Sequence, residues 1–333
     1  MMGTIVRRLI VVPLVLLSLP ALVVTAPLWL PICLIVDVAT GLFRLPTLRL
    51  CLFGLVYLAH EWVCVGAAIY LGGRRRLRPA RSDPSADLVS YRRVQAWWVS
   101  SLLGWARRLV GVRFDLPDPP ELPDEGFILI SRHASMVDAV LPMYLVASGL
   151  DRFVHYVLKR ELRFDPALDF YGHALGNYFL SRNGNGDHEA LAIAGLARRA
   201  LPLSVLVIFP EGTYASPSRR ARVRRSLVNR GDVKLLELAD DLEHLLPPKP
   251  AGTLALLANQ PELDVVVLGH VGLEGVSNLG GLRQRLPLRS PVVVRWWHHR
   301  RSSLPTEDEA TIHWLNQQWR TLDRWVDSAK DPR

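Results

Sequence analysis

No charged side chain occurs between Leu9 and Val36, and no other feature of this 333-residue chain restricts its fold as strongly. Arg7 and Arg8 precede the run and Asp37 ends it. A straight helix over this stretch would be about 42 Å long, against a hydrocarbon core of about 30 Å. It has to tilt, kink or extend into the headgroup layer. Pro13, Pro20, Pro27 and Pro31 make kinks the natural solution, because each removes a backbone donor. A cleaved signal peptide is the competing reading, but the apolar run is much longer than the hydrophobic region of a signal.

A second apolar run covers Leu50 to Leu71 and contains His60 and Glu61, both costly at mid-bilayer. Either this helix spans the membrane with that pair turned toward the first helix, or the two segments form a hairpin that dips in without crossing. We read it as two spans. Arg74, Arg75, Arg76, Arg78 and Arg81 follow, and the positive-inside rule puts them in the cytoplasm. An even number of spans returns Arg7 and Arg8 to the same side. Between residues 89 and 114, Trp97, Trp98 and Trp105 alternate with Arg92, Arg93, Arg107 and Arg108. That pattern suits the headgroup layer, or a core helix with a solvated basic face.

Half of the chain is apolar and its net charge is +9, a balance that suits an anionic membrane surface, an anionic substrate or nucleic acid. Cys33, Cys51 and Cys64 all fall in the apolar N-terminal part, without metal-ligand spacing. They read as packing residues.

After Pro117, Pro119 and Pro120 the pattern changes. Strand-like runs at 127–130, 153–158, 178–180, 205–209, 265–268 and 292–294 alternate with helical stretches at 138–146 and 187–200. This predicts an α/β domain with a mixed or largely parallel central sheet flanked by helices, preceded by an N-terminal transmembrane helical hairpin. The divisions expected are a membrane-embedded hairpin over 1–73, a basic linker and interfacial helix over 74–115, and a catalytic domain over 116–333. Thr306 and Glu309 fit a capping box, and Ile312, Leu315, Trp319, Leu322 and Val326 make one apolar stripe on a terminal amphipathic helix.

Two constellations carry chemistry. The run Phe127–Ile130 leads into Ser131-Arg132-His133-Ala134-Ser135-Met136-Val137-Asp138. A neutral imidazole can take a proton from a hydroxyl as that hydroxyl attacks a thioester. A carboxylate on the other ring nitrogen fixes the tautomer and stabilises the imidazolium. The second constellation is Val205–Phe209 followed by Pro210-Glu211-Gly212-Thr213, which offers a carboxylate, a glycine that permits close approach and a hydroxyl.

In order and spacing, His133…Asp138 and Phe209-Pro210-Glu211-Gly212-Thr213 resemble the glycerolipid acyltransferase family, which includes the 1-acylglycerol-3-phosphate acyltransferases. A middle block is similar too: Lys159-Arg160-Glu161-Leu162, Pro166, Gly172, Gly176 and Phe179-Leu180-Ser181-Arg182. Leu246-Pro247-Pro248-Lys249 with Gly252-Thr253 looks like a stretch of the lysophosphatidate and lysocardiolipin subgroup. The resemblance implies that His133 is the general base and Asp138 its orienter. It implies that Arg182, Glu211, Gly212 and Thr213 hold the glycerol-phosphate part of the acceptor. The donor it implies is an acyl thioester on coenzyme A or acyl carrier protein, used by direct transfer without metal or cofactor. Membrane lipids are the expected surroundings, with the domain on the cytoplasmic side of an inner or cytoplasmic membrane.

Three features depart from the family pattern. Arg132 stands where asparagine is usual, Tyr214 follows Glu-Gly-Thr in place of arginine, and the late Val-Pro-Val element is replaced near Asp264-Val265-Val266-Val267. These changes fall where an acceptor phosphate is expected. Ser135 is a nucleophile in principle but lacks a Gly-x-Ser-x-Gly setting. The basic run Arg219 to Arg230 lacks interleaved aromatics, so no nucleic-acid partner is expected. A non-catalytic lipid-binding scaffold is the rival from another class.

Overall fold

The computed structural model describes residues 3–77, 84–116, 122–123, 125–135, 137–180, 186–201, 203–274, 276 and 279–330. The apolar N-terminus forms α1 (Thr4–Val24) and α2 (Ala26–Ala39), then α3 (Pro46–Leu77) and α4 (Pro84–Leu109). The rest alternates: β1 (Phe114–Asp115), β2 (Phe127–Ser131), α5 (Val140–Met143) running into a π-helical turn (Tyr144–Gly149), β3 (Phe153–Lys159), a 3-10 turn (Arg160–Phe164), α6 (Pro166–Ala174), β4 (Tyr178–Leu180), α7 (Gly186–Arg198) and β5 (Ser204–Ile208). Then come α8 (Pro217–Arg230), α9 (Val233–Asp241), α10 (Pro250–Asn259), β6 (Asp264–Val271), α11 (Leu279–Arg285), β7 (Val292–His299) and α12 (Asp308–Lys330).

The strands make one sheet in the order β1-β7-β6-β2-β5-β3-β4. The pairings are parallel except β6 with β7. β2 and β5 are buried along their whole length, as strands covered by helices on both faces must be. Their side chains alternate between two cores. Phe127 and Leu129 face Trp98, Val99 and Leu102 of α4. Ile128 and Ile130 face Leu196 of α7, Leu256 of α10 and Trp319 of α12. The stripe on α12 therefore packs on the sheet, through Leu315, Trp319, Leu322 and Val326.

Two elements differ from the sequence pattern. β7 continues to His299 although only Val292–Val294 read as strand; beyond Val294 it carries large polar and aromatic side chains that are only partly covered. The helix expected from Asp138 starts at Val140, because the Asp138 carboxylate turns back onto the preceding loop.

The uncharged run is broken at Thr25, whose hydroxyl donates to the Ala21 carbonyl at 2.7 Å; Pro27 then opens α2. Both α1 and α2 pack along α3, and the Cys33 and Cys51 thiols meet at 3.5 Å across that seam. The base of this hairpin is tied to the α/β unit, where Arg7 and Arg8 donate to Asp169 at 2.5 and 2.6 Å. Its tip is tied to the same unit, where Arg283 of α11 donates to Thr47 at 2.6 Å.

The hairpin thus lies along the α/β unit and is tied to it at both ends. His60 and Glu61 are likewise turned away from the first helix. His60 bonds Ser101 of α4 at 2.9 Å, and Glu61 accepts from the Ala167 N–H of α6 at 2.9 Å. A carboxylate at the start of a helix satisfies an orphan donor and the helix dipole. The outer face stays apolar: Leu9, Leu14, Leu17, Leu28 and Ile35 are each more than half exposed. An apolar surface this continuous is foreign to a soluble monomer and suits lipid. By length and composition, α1 and α3 could each cross a membrane.

Candidate active site

Strand register builds the site. β2 and β5 are neighbours, with Ile130 opposite Ile208, so His133 and Glu211 each lie three residues beyond a matched pair. On the other side of β2, Ser131 is opposite Leu268 of β6. The chain thus turns to opposite sides of β2, and the carboxyl ends of strands at such a switch point form the crevice where α/β sheets place ligands.

His133 Nδ1 lies 2.9 Å from Asp138 Oδ1. Asp138 Oδ2 accepts from the N–H of Ala134 and, at 2.7 Å, of Ser135. The carboxylate is fully buried. Burial alone would raise its pKa, but its interactions with His133 and His270 hold it far below the usual carboxylate range. An ionised partner on Nδ1 makes that nitrogen the donor, so the lone pair sits on Nε2. The His133 ring lies 5.0 Å from the Phe209 ring and edge-on to Tyr214 at 5.8 Å. The Ala215 N–H donates to the His133 carbonyl at 3.0 Å, closing the Glu-Gly-Thr turn over the histidine.

Glu211 does not hold substrate as the resemblance implied. Its side chain is buried, and both oxygens are committed inside the protein. Oε1 accepts from the His133 N–H at 2.8 Å and Oε2 from the Leu246 N–H at 2.9 Å. It ties three segments together: the histidine loop, the turn after β5 and the Leu246-Pro247-Pro248-Lys249 stretch. Burial pushes its carboxyl up to about 8, despite the two N–H donors.

Gly212 is exposed and adopts φ +67°, a left-handed conformation that favours glycine. A Cβ there would meet Lys249 Nζ at 3.3 Å, so a lysine amine stands beside this turn. Thr213 is half-buried on the same turn. Gly252 lets α10 close onto β5: a Cβ would lie 2.6 Å from Ile208 Cδ1. The implied phosphate ligand Arg182 lies outside the described residues.

Arg132 is committed inside the protein. It is buried, donates to the His270 carbonyl and pairs with Glu274 at 2.5 Å. The departure from asparagine is therefore a structural exchange and not a change at a phosphate contact. Ser135 is buried and its Oγ accepts from the Val137 N–H at 3.2 Å, which removes it as a nucleophile.

Sequence reasoning missed His270. It is fully buried at the end of β6, with Nε2 3.5 Å from Asp138 Oδ2 and 3.3 Å from the Arg132 carbonyl. Asp138 thus stands between two histidines. The only available signal was a lone histidine in an apolar strand, which ordinarily reads as core.

Residues 113–235 match the Acyltransferase family, a span that contains both motifs. No curated protein sequence matches the chain. Among solved structures it is similar to the 1-acyl-sn-glycerophosphate (LPA) acyltransferase PlsC from Thermotoga maritima. That match covers 84% of this chain and 97% of that one, with a TM-score of 0.52 and 17% identity. At that identity the likeness shows the fold, and the fold includes the helices that precede the sheet. The domain match and the shared fold fall on the same part of the chain: residues 113–235 match an acyltransferase domain that holds both motifs, and they are set in the fold of that solved structure.

Proposed function

We propose that the protein moves a fatty acyl chain from an acyl thioester to the hydroxyl of a lysophospholipid, with 1-acylglycerol 3-phosphate as acceptor and phosphatidate as product. The observation that carries this reading is the His133–Asp138 couple, fixed at 2.9 Å by a carboxylate that backbone donors hold in place. His133 Nε2 takes the proton of the acceptor hydroxyl as its oxygen attacks the thioester carbonyl. A C–O bond forms, the C–S bond breaks, and the proton passes from His133 to the departing thiolate. Asp138 stays ionised and stabilises the imidazolium in between.

The acceptor lies over the turn after β5. Gly212 allows close backbone approach and Thr213 offers a hydroxyl, with Arg182 as ligand to the phosphate. Lys249 adds a cation beside Gly212. The solved relative is named as an LPA acyltransferase, which supports this acceptor. The apolar outer face of α1 and α2 rests in the bilayer, and Arg74, Arg75 and Arg76 in the last turn of α3 mark the cytoplasmic side. A hairpin of this kind brings the site to a substrate that never leaves the membrane.

The test is purified full-length protein given acyl-CoA or acyl carrier protein thioester and a panel of lysolipids, with products identified by mass. Phosphatidate from 1-acylglycerol 3-phosphate is expected. Product from another acceptor alone would reject this acceptor. Arg182→Ala should raise the KM of a phosphate-bearing acceptor and leave kcat near its starting value.

A further inference from the structure

A groove of about 1040 Å³ runs between the hairpin tip and the segment joining β6 to β7. β6 ends at the same sheet edge as β2, and β7 begins there because it runs antiparallel to β6. Arg44, Arg285, Arg289 and Lys330 line this groove, with Glu274 as its acidic member. These four basic residues are exposed, and the half-buried Arg283 lines the groove as well. Glu274 is itself paired with Arg132, the residue before His133. One side chain therefore links the groove wall to the histidine loop.

We propose that this groove receives the nucleotide end of the donor, the 3′-phosphoadenosine diphosphate of a coenzyme A thioester. The proposal rests on the acyl-transfer reading and narrows its donor. Size and charge point the same way. Ligand pockets span about 300 to 1000 Å³, so the groove is large enough for a nucleotide. A lipid headgroup with a single phosphate would leave most of it unfilled. Five cations stand against one carboxylate; Arg283 is held by Thr47, and the other four match a ligand with three phosphate groups, for which arginine is suited by its forked donors. Glu274 is spent on Arg132, which lowers its cost to an anion nearby. The remainder of the coenzyme is a long unbranched arm ending at the thioester.

The hairpin tip supplies Arg44, and Arg283 fastens that tip through Thr47. Seating of the membrane hairpin and completion of the groove are therefore one event.

The test uses full-length protein in nanodiscs, with coenzyme A itself as the probe. Calorimetry should show binding to unmodified protein that weakens as salt is raised. The double variant Arg285→Ser/Arg289→Ser should weaken coenzyme A binding, and raise the acyl-CoA KM, by about tenfold or more, with kcat within about twofold. Removing the 3′-phosphate from coenzyme A should weaken binding to unmodified protein and matter less to the variant. Unchanged binding and KM in the variant would overturn the assignment. So would a variant that loses affinity for phosphatidylglycerol vesicles at unchanged KM, which would make the groove a lipid-headgroup site. Use of acyl carrier protein thioester alone, without coenzyme A binding, would overturn it as well. Each of these leaves acyl transfer standing. Coenzyme A binding through these arginines in a protein that transfers no acyl group to any acceptor would instead sink the acyl-transfer reading.

Discussion

The loops that leave the neighbouring strands β2 and β5 each bury a carboxylate, and the two are driven in opposite directions. Asp138 is held far below the usual carboxylate range, whereas Glu211 is pushed up to about 8. Burial is the largest influence on both and raises both. The difference lies in the partners. Asp138 faces two histidines and two backbone N–H groups. Glu211 has two backbone N–H groups and the charge of Arg132 in its favour, which do not offset its burial, and the charge on Asp138 opposes its own. Partners thus decide which of two motif carboxylates takes part in charge chemistry and which fastens the loops.

That contrast can be broken first at Asp138. Asp138→Asn keeps the shape of the side chain but no longer enforces the Nδ1–H tautomer. It should lower kcat by about 10⁴-fold, measured as product formed per unit time. The acid limb of stability should change with it. A pKa lowered in the folded state stabilises above the unfolded value of 3.8 and is lost as pH falls. Thermal unfolding between pH 3 and 5 should therefore be less pH-dependent in the variant.

Glu211 should behave differently. Glu211→Ala orphans two buried N–H groups and should cost about 1–3 kcal/mol for each, read by denaturant unfolding. Glu211→Gln retains one acceptor, so it should fold and keep most of its activity. The sign of the pH effect is opposite to that at Asp138. A carboxyl raised from 4.5 to about 8 gives stability that is complete below 4.5 and lost as pH rises toward 8. Glu211→Gln should remove that decline from a Tm–pH curve.

Smaller effects sharpen the same comparison. His270→Asn can still donate toward the Arg132 carbonyl but takes an imidazole from Asp138. It should shift the pH profile of kcat/KM while altering the acceptor's KM little. His270→Ala should reduce stability as well. Gly212→Ala forces a side chain into a left-handed backbone and should cost about 1–2 kcal/mol.

Much of this was legible in the sequence, for reasons that can be located. The strands β2, β5 and the centre of β6 announce themselves because they are buried on both faces. β7 was half hidden because beyond Val294 it presents tryptophans, histidines and an arginine at the partly covered side of the sheet. The pair His133 and Asp138 could be read because both lie in one loop. Glu211 was found but its task was misread, since its two partners come from segments 78 and 35 residues away. His270 and the Arg132–Glu274 pair depend on strand adjacency, which periodicity does not specify. The hairpin's two apolar lengths were visible, whereas its attachment at both ends rests on Asp169 and Arg283, residues far along the chain.

The most direct test of the central claim is single-turnover acyl transfer by His133→Ala in protein whose thermal unfolding matches the unmodified chain. With product followed by mass, the rate should fall by about 10²- to 10⁴-fold while binding of the acceptor is retained. Transfer at the unmodified rate would show that His133 is not the base and would contradict the account.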